Sequence, residues 1–253
     1  MCRLLYILII SFLVSCKREI VSFAPDLIAH AGGNIDGFVY TNSFEALEQS
    51  IADGYRFIEL DFQFTADSVL VAAHSWSEFN EQSGYSSMGD SAPCHNDFVS
   101  RRLHGLYKPL TARMIDSIFV ANPNLFLVTD KVSDADVLES YFPRLKDRIL
   151  VEAFSYDDYV ELKQRGFYRV LYSCMAKDMY SSVVKHMLLH SLFPGDKIEW
   201  IALHTSAFDN NLFAIIDLLC NYNAAVFTVN DLHDIPQEYR SNVKMIYTDG
   251  IKP

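Results

Sequence analysis

The chain has 253 residues, of which 50% are hydrophobic and 21% are charged, and its formal net charge is -11. This composition is typical of a globular protein, and the length allows one large domain or two small ones. The acidic balance, without a basic run, argues against a nucleic-acid partner, because phosphate neutralisation supplies most of the affinity in such complexes.

The N-terminus has the pattern of a bacterial lipoprotein signal. Arg3 precedes an apolar run that ends at Val14, which is short for a membrane span but suits the core of a signal peptide. The sequence Leu-Val-Ser-Cys that ends at Cys16 looks like a lipobox. We therefore expect residues 1–15 to be a signal peptide and residues 16–25 a tether lipidated at Cys16. This predicts a membrane-anchored lipoprotein of the cell envelope, facing the periplasm or the exterior, and an uncleaved N-terminal anchor is the alternative.

From residue 26 onward, short runs rich in β-branched and aromatic residues alternate with segments of helical period. The predicted strands are Leu27–Ala31, Phe57–Phe64, Phe126–Thr129, Ile149–Phe154, Arg169–Tyr172, Trp200–His204, Ala225–Val229 and Met245–Thr248. The predicted helices are Ser43–Ala52, Ala112–Ala121, Asp134–Lys146, Tyr156–Arg165, Ala176–His190 and Asn210–Cys220. This alternation predicts an α/β fold, a (β/α)8 barrel of the TIM type over residues 26–253, with a doubly wound open sheet as the alternative.

One stretch interrupts the alternation. Val69–His74 is strand-like and follows the second strand closely, so the two can form a hairpin. Residues 75–109 show no clear periodicity, and they are too many for an ordinary strand-to-helix connection. We expect an insertion there, either a small subdomain or a lid.

The predicted strands end in polar side chains. These residues are His30, Glu59, Asp61, Asp130, Lys131, Glu152, Tyr172, His204, Asn230 and Asp249. Because the carboxyl ends of the strands form the active-site face of a (β/α)8 barrel, this gathering predicts an active site at that face.

Glu59-Leu60-Asp61 is the most specific of these motifs. Residues two apart in a strand point to one side, so both carboxylates face the same space. Two such charges are tolerated when a cation lies between them, and a hard divalent ion prefers oxygen ligands of this kind. Asp130 on the next strand can supply a third ligand. The alternative is a surface strand with two solvated acids.

His30 and His74 are candidate proton carriers, because imidazole suits acid–base chemistry near neutral pH. His30 is followed by Gly32 and Gly33, which allow the backbone to approach a ligand closely. The alternative for both histidines is a structural role. Cys94, Cys174 and Cys220 have no metal-binding spacing and leave the disulfide state open.

The order of these motifs resembles the glycerophosphodiester phosphodiesterase family. The resemblance is carried by His30, Asn42-Ser43, Glu59-x-Asp61, His74 thirteen positions after Asp61, Asp130-Lys131, and the closing motifs around Asn230 and Asp249. It extends from His30 to Ile251 and implies the barrel fold.

The resemblance also implies a function. Glu59, Asp61 and Asp130 would bind one divalent cation, Ca2+ or Mg2+, and His30 and His74 would act as acid and base. A glycerophosphodiester, or a related polyol phosphodiester, would be hydrolysed to glycerol phosphate and an alcohol. Residues expected to bind this small-molecule substrate are Gly32, Asn42, Lys131, Glu152, His204 and Asn230.

Five departures from the family pattern are visible. The family's Arg after the first histidine is Ala31 here, its Glu before Asn42 is Thr41, and its Asp after the second histidine is Ser75. The family's third acid is a Glu, which is Asp130 here. The last departure is one of spacing, because Asp130 and Lys131 are adjacent where the family leaves one residue between them. Since neighbouring residues of a strand face opposite sides, that spacing conflicts with placing both side chains in one site.

Three functions therefore stay open at this level. The first is the metal-dependent phosphodiesterase, favoured because both histidines and both acids of Glu59-x-Asp61 are present. The second is a non-catalytic relative that only binds a ligand, which Ala31 and Thr41 favour. The third is a phospholipase D-like lyase that acts on lipid head groups with the same fold.

Overall fold

The computed structural model describes residues 23–174, 180–191, 197–209 and 211–253. Strands in these segments are β1 (Asp26–Ala29), β2 (Phe57–Phe64), β3 (Leu70–Ala72), β4 (Phe126–Asp130), β5 (Ile149–Ala153), β6 (Arg169–Cys174), β7 (Trp200–His204), β8 (Asn223–Phe227) and β9 (Val243–Thr248). All except β3 are parallel and follow one another in chain order around the sheet. The sheet closes because β1 pairs with both β2 and β9. The predicted (β/α)8 barrel is therefore confirmed and the open sheet is wrong; the predicted signal peptide and Cys16 lie outside the described residues.

Helices surround this barrel. Those of the described segments are α1 (Phe44–Asp53), α2 (Trp76–Gln82), α3 (His95–Ser100), α4 (Ala112–Ala121), α5 (Ala135–Tyr141), α6 (Tyr156–Gln164), α7 (Tyr180–Ser191) and α8 (Asn211–Leu219). Within these segments, no helix combines the length and the apolar character needed to cross a membrane.

Local sequence signals explain where these helices begin and end. The side chain of Ser43 accepts a hydrogen bond from the backbone of Ala46, and Gly54 closes α1 in a left-handed conformation, as caps of these types do. The predicted helix from Asp134 to Lys146 is wrong at its C-terminal end, because α5 stops at Tyr141. Pro143 explains the early stop, since proline disfavours a helical conformation in the residue before it.

Apolar side chains cover both faces of the barrel strands. The side chains that point inward form one cluster, whose buried members are Ile28, Val128, Leu150, Leu171, Ala202, Ala225, Met245 and Tyr247. The side chains that point outward form a larger cluster with the helices. A strand buried on both faces needs apolar residues at consecutive positions, which explains the continuous apolar runs in the sequence.

The insertion after the second strand is a small subdomain. As predicted, β3 pairs with β2 in an antiparallel hairpin. The stretch then contains α2 and α3, which pack through their own buried cluster of Val71, Ala73, Trp76, Phe79, Phe98, Leu103 and Tyr107. These two helices have seven and six residues, so neither completes the two turns over which a helical period becomes visible in a sequence.

The turn from β1 toward α1 brings the backbone close to α1. Gly33 has φ 98° and ψ -179°, a conformation that is almost restricted to glycine. A Cβ atom at this position would lie 2.1 Å from the hydroxyl oxygen of Ser50. The same hydroxyl donates a hydrogen bond of 2.8 Å to the carbonyl of Gly32. Gly33 therefore allows the turn after His30 to pack directly on α1.

We expect Gly33→Ala to destabilise the fold by about 1–3 kcal/mol through backbone strain alone, and by more because of the contact with Ser50. Gly37→Ala is the matched control, because Gly37 also has a positive φ of 86° but open space around its Cβ position. The free energy of unfolding in urea measures both. Equal losses in the two variants would contradict the close approach at Gly33.

Candidate active site

The carboxyl ends of the barrel strands form a polar site. Glu59 and Asp61 lie on the same face of β2 as the inward-facing Phe57, and Asp130 ends β4 directly beside Asp61. One carboxylate oxygen from each of these three acids lies within 4.8 Å of the other two. The predicted carboxylate cluster is therefore present, and the solvated surface strand is excluded, because Glu59 and Asp61 are only 1% and 2% exposed.

Burial makes these acids resist a full negative charge. Burial, and then repulsion from Asp61 and Asp130, raises the pKa of Glu59 well above its usual range. Burial, followed by repulsion from Glu152 and Asp61, raises the pKa of Asp130 to about 9. For Asp61 burial acts in the same direction, but electrostatic interactions with Lys131 and then His74, together with hydrogen bonds, oppose it and leave the pKa of Asp61 lowered. Burial and mutual repulsion therefore favour protonation within the cluster unless a cation offsets its charge.

The donor set fits a hard divalent cation. Among the residues that the structure describes, the Oε1 atom of Glu59 is buried and has no hydrogen-bond partner, while its Oε2 atom accepts a 2.6 Å bond from the backbone of Ala31. A buried carboxylate oxygen without a donor is costly unless it binds a cation or a proton. Three carboxylates at this spacing are the oxygen ligands that Ca2+ and Mg2+ take. Glu59, Asp61 and Asp130 can therefore hold such an ion.

Asn42 orients one of these acids. Its amide Nδ2 donates to Asp61 Oδ2 at 2.9 Å, and its Oδ1 accepts from the backbone of Asp61 at 3.0 Å. Asn42 is fully buried, so these two hydrogen bonds account for its contact with the site. Its expected role in binding substrate stays a prediction.

Lys131 reaches the same site as Asp130, although the two residues are adjacent. Lys131 follows the last residue of β4 with φ 68°, and this left-handed conformation ends the alternation of the strand. Its ammonium nitrogen lies 3.1 Å from Asp61 Oδ1 and also donates to the carbonyl of His74. The expectation that adjacent residues cannot both face the site is therefore wrong at this position, and both side chains belong to the site.

Each candidate catalytic histidine is bound to a carboxylate through Nδ1. His30 Nδ1 lies 3.0 Å from Asp249 Oδ1, and His74 Nδ1 lies 2.6 Å from Glu78 Oε2. When Nδ1 donates to a carboxylate, the imidazole is held in one orientation and Nε2 is left for proton transfer. The structure therefore provides two oriented imidazoles beside the acid cluster.

Asn230 supports His30 indirectly. Its Nδ2 donates to Asp249 Oδ2 at 3.1 Å, and its Oδ1 accepts from Thr248 and from the backbone of Asp249. These bonds fix the carboxylate that in turn binds His30. Contact between Asn230 and a substrate stays a prediction.

Tyr40 is a site residue that the sequence did not indicate. Its ring packs between the two imidazoles, 4.7 Å from the ring of His30 and 5.1 Å from that of His74. Burial raises the pKa of Tyr40, and a hydrogen bond with Thr228 opposes this shift. Tyr40 lies in a loop without a regular period, so only its position in space reveals it.

Glu152 is buried near the end of β5 and lies close enough to repel Asp130. Its Oε2 accepts from Ser173 at 2.7 Å, and its Oε1 accepts from the phenol of Tyr247. Both hydroxyls stabilise the carboxylate, but burial is the larger effect and raises the pKa of Glu152. Since its two oxygens are engaged within the protein, its main effect in this structure is to raise the pKa of Asp130 through charge repulsion.

The other expected binding residues are placed as follows. Gly32 is buried in the turn after His30 with φ 84°. His204 is exposed at the end of β7 and bonds Ser206 at 2.9 Å. Ala31 has its methyl group fully buried, so no phosphate contact comes from the position where the family has arginine.

Comparison with known proteins agrees with this geometry. The profile of the Glycerophosphoryl diester phosphodiesterase family matches residues 31–188, more than half of the chain. No curated protein sequence matches the chain.

Solved structures with the same fold cover most of the chain. One, a putative glycerophosphoryl diester phosphodiesterase from Agrobacterium tumefaciens, is 15% identical with a TM-score of 0.66 and covers 89% of this chain and 94% of its own. A glycerophosphodiester phosphodiesterase from Thermotoga maritima is 16% identical with a TM-score of 0.63 and covers 89% and 95%. A phosphodiesterase from Oleispira antarctica, solved with the product sn-glycerol-3-phosphate, is 17% identical with a TM-score of 0.61 and covers 90% and 94%.

The repulsion within the cluster predicts a trade between stability and cation binding. In chelator we expect Glu59→Gln to raise the free energy of unfolding by about 0.5–2 kcal/mol, because a neutral amide removes one buried acid. With Ca2+ or Mg2+ at 100 times its dissociation constant, the wild-type protein should gain about 2.7 kcal/mol and the variant much less. Glu48→Gln, an exposed change on α1, is the control. A variant less stable than wild type in chelator would contradict this account of the site.

Proposed function

Since the chain belongs to the glycerophosphoryl diester phosphodiesterase family, whose members are phosphoric diester hydrolases, we propose that it hydrolyses a glycerophosphodiester, or a related polyol phosphodiester, with the help of a divalent cation. The products are glycerol phosphate and an alcohol. The observation that carries the proposal is the buried three-carboxylate cluster with its unpartnered Glu59 oxygen, lying beside two oriented imidazoles. The relative from Oleispira antarctica, which holds sn-glycerol-3-phosphate, supports the same product class.

Glu59, Asp61 and Asp130 hold the cation in this proposal. The bound ion, Ca2+ or Mg2+, supplies positive charge against the phosphate oxygens. Asn42 keeps Asp61 in place through its two hydrogen bonds. Lys131 adds a compact positive charge at the same edge of the cluster, where it can hold a phosphate oxygen. It is the only lysine or arginine among the site residues described above. Lys131 therefore replaces part of the positive charge that the family's arginine supplies at the position of Ala31.

The two imidazoles move protons. Breaking a phosphodiester bond requires that the attacking hydroxyl lose a proton and that the leaving alkoxide gain one. His30 and His74 lie on either side of Tyr40 and are each held through Nδ1. Their Nε2 atoms are therefore the groups that accept one proton and donate the other.

We expect the purified protein to release glycerol phosphate from at least one of glycerophosphocholine, glycerophosphoethanolamine, glycerophosphoglycerol and glycerophosphoinositol, and to lose this activity in chelator. His30→Ala should lower kcat by about 10^2–10^4-fold, the usual contribution of a general acid or base. Glu59→Ala should abolish the cation-dependent turnover, while Glu48→Ala should not. Coupled detection of glycerol phosphate measures all of these.

A folded protein that binds the cation but turns over none of the four diesters would overturn the proposal. That result would favour the alternative that this chain is a non-catalytic member of the family, which only binds a ligand. Turnover that persists unchanged in chelator would contradict only the proposed dependence on a cation, and the proposed hydrolysis would stand.

The location of the protein is also a proposal. It rests on the apolar run after Arg3 and on the lipobox-like sequence at Cys16, which together would place a hydrolase of this kind at the cell envelope, anchored to a membrane. We expect a bacterial host that expresses the full chain to incorporate a labelled fatty acid into it. Cys16→Ala should prevent this labelling, and a label retained in that variant would contradict the anchor.

A further inference from the structure

The two carboxylates that bind the histidines come from different parts of the fold. Asp249 follows β9 and is held by Asn230 within the barrel. Glu78 belongs to α2 of the inserted subdomain, outside the strand ends where barrel enzymes usually carry their functional residues. The insertion therefore contributes a charged group to the site.

The start of α2 shows that this carboxylate is directed toward His74. Ser75-Trp76-Ser77-Glu78 has the spacing of a capping box, in which the acid at the third helical position bonds the backbone N–H of the capping residue. Ser75 behaves as the cap, because its hydroxyl accepts from the backbone of Glu78 at 3.2 Å. The carboxylate of Glu78 instead lies 2.6 Å from His74 Nδ1, one residue before the cap.

The rest of His74 is held by other contacts. Its carbonyl accepts a bond of 3.1 Å from Gln63 Nε2 and a second from the ammonium group of Lys131. Its ring packs against Tyr40 with centroids 5.1 Å apart. These contacts fix the backbone and one side of the ring, and the hydrogen bond to Glu78 decides which ring nitrogen carries the proton.

We propose that Glu78 is a positioning residue of the active site, whose carboxylate holds His74 in the Nδ1–H tautomer and presents Nε2 to the phosphodiester. This inference rests on the function proposed above. It also accounts for Ser75, which stands where the related family has an acid directly after the second histidine. Ser75 begins α2, and the helix then brings an acid back to the imidazole from three positions further along.

Little of the fold's stability depends on this pair. The side chains of His74 and Glu78 are 35% and 44% exposed, and exposed ion pairs of this kind contribute little to the free energy of unfolding. Removing the carboxylate should therefore change the chemistry of His74 while leaving the protein folded.

The test compares Glu78→Ala, Glu78→Gln and the matched control Glu81→Ala, which removes an exposed acid one position before the end of the same helix. The full chain is purified in detergent, and kcat and KM are measured with the glycerophosphodiester that the wild-type protein turns over. In parallel, 15N chemical shifts of the imidazole nitrogens, assigned with His74→Ala, report the tautomer of His74. Thermal unfolding confirms that each variant is folded.

We expect Glu78→Ala to lower kcat by about 10–100-fold, the usual effect of removing a residue that orients a functional group, with KM within about 2-fold of wild type. The Nδ1–H signature of His74 should be lost in the same variant. Glu78→Gln should recover part of both, because its amide oxygen accepts the same hydrogen bond, and Glu81→Ala should resemble wild type.

Either a wild-type kcat or an unchanged 15N signature in Glu78→Ala would overturn the inference. Equal losses in Glu78→Ala and Glu81→Ala would do the same, because they would show a general effect of charge. If the wild-type protein turns over no diester, the proposed function fails. The 15N shifts still decide in that case whether Glu78 sets the tautomer of His74.

Discussion

Four carboxyl side chains, from Glu59, Asp61, Asp130 and Glu152, lie at one end of the barrel, and all of them except the partly buried Asp130 are almost inaccessible to water. Their mutual repulsion and their burial oppose ionisation, so this layer destabilises the fold unless protons or cations offset the charge. A core optimised only for stability would place apolar residues there, as the layer beneath it does. The surrounding hydroxyl, amide and ammonium groups hold these acids in place and leave one Glu59 oxygen for a cation.

The backbone around this layer adopts unusual conformations at several positions. Four residues other than glycine with positive φ lie at the site, namely Ala31, Tyr40, Asn42 and Lys131. Such conformations cost about 1–3 kcal/mol each and persist when the surrounding contacts require them. At Ala31 the bend directs a backbone N–H at Glu59, and at Lys131 it returns an ammonium group to Asp61. Three of the four strained positions, Ala31, Asn42 and Lys131, thus aim a donor or a cation at the acids.

Most of the architecture could be predicted from the chain alone. Runs of β-branched and aromatic residues predicted all eight barrel strands, because a strand covered on both faces must be apolar along its length. The capping serine Ser43 and the closing glycine Gly54 marked α1 to within one residue. The two helices of the insertion cannot be predicted from periodicity because they are too short to show a period, and α5 is shorter than predicted because Pro143 ends it.

The sequence by itself determined the barrel and the pairing of Glu59 with Asp61, because side chains two apart in a strand must share a face. It also indicated His30 and His74, through motifs at strand ends. Only the tertiary structure decided how those residues are supported. Lys131 joins Asp130 because one backbone angle breaks the strand's alternation, while Tyr40 and Glu78 meet the histidines across loops and an insertion. Such contacts depend on where distant segments pack, and no local period or spacing records that.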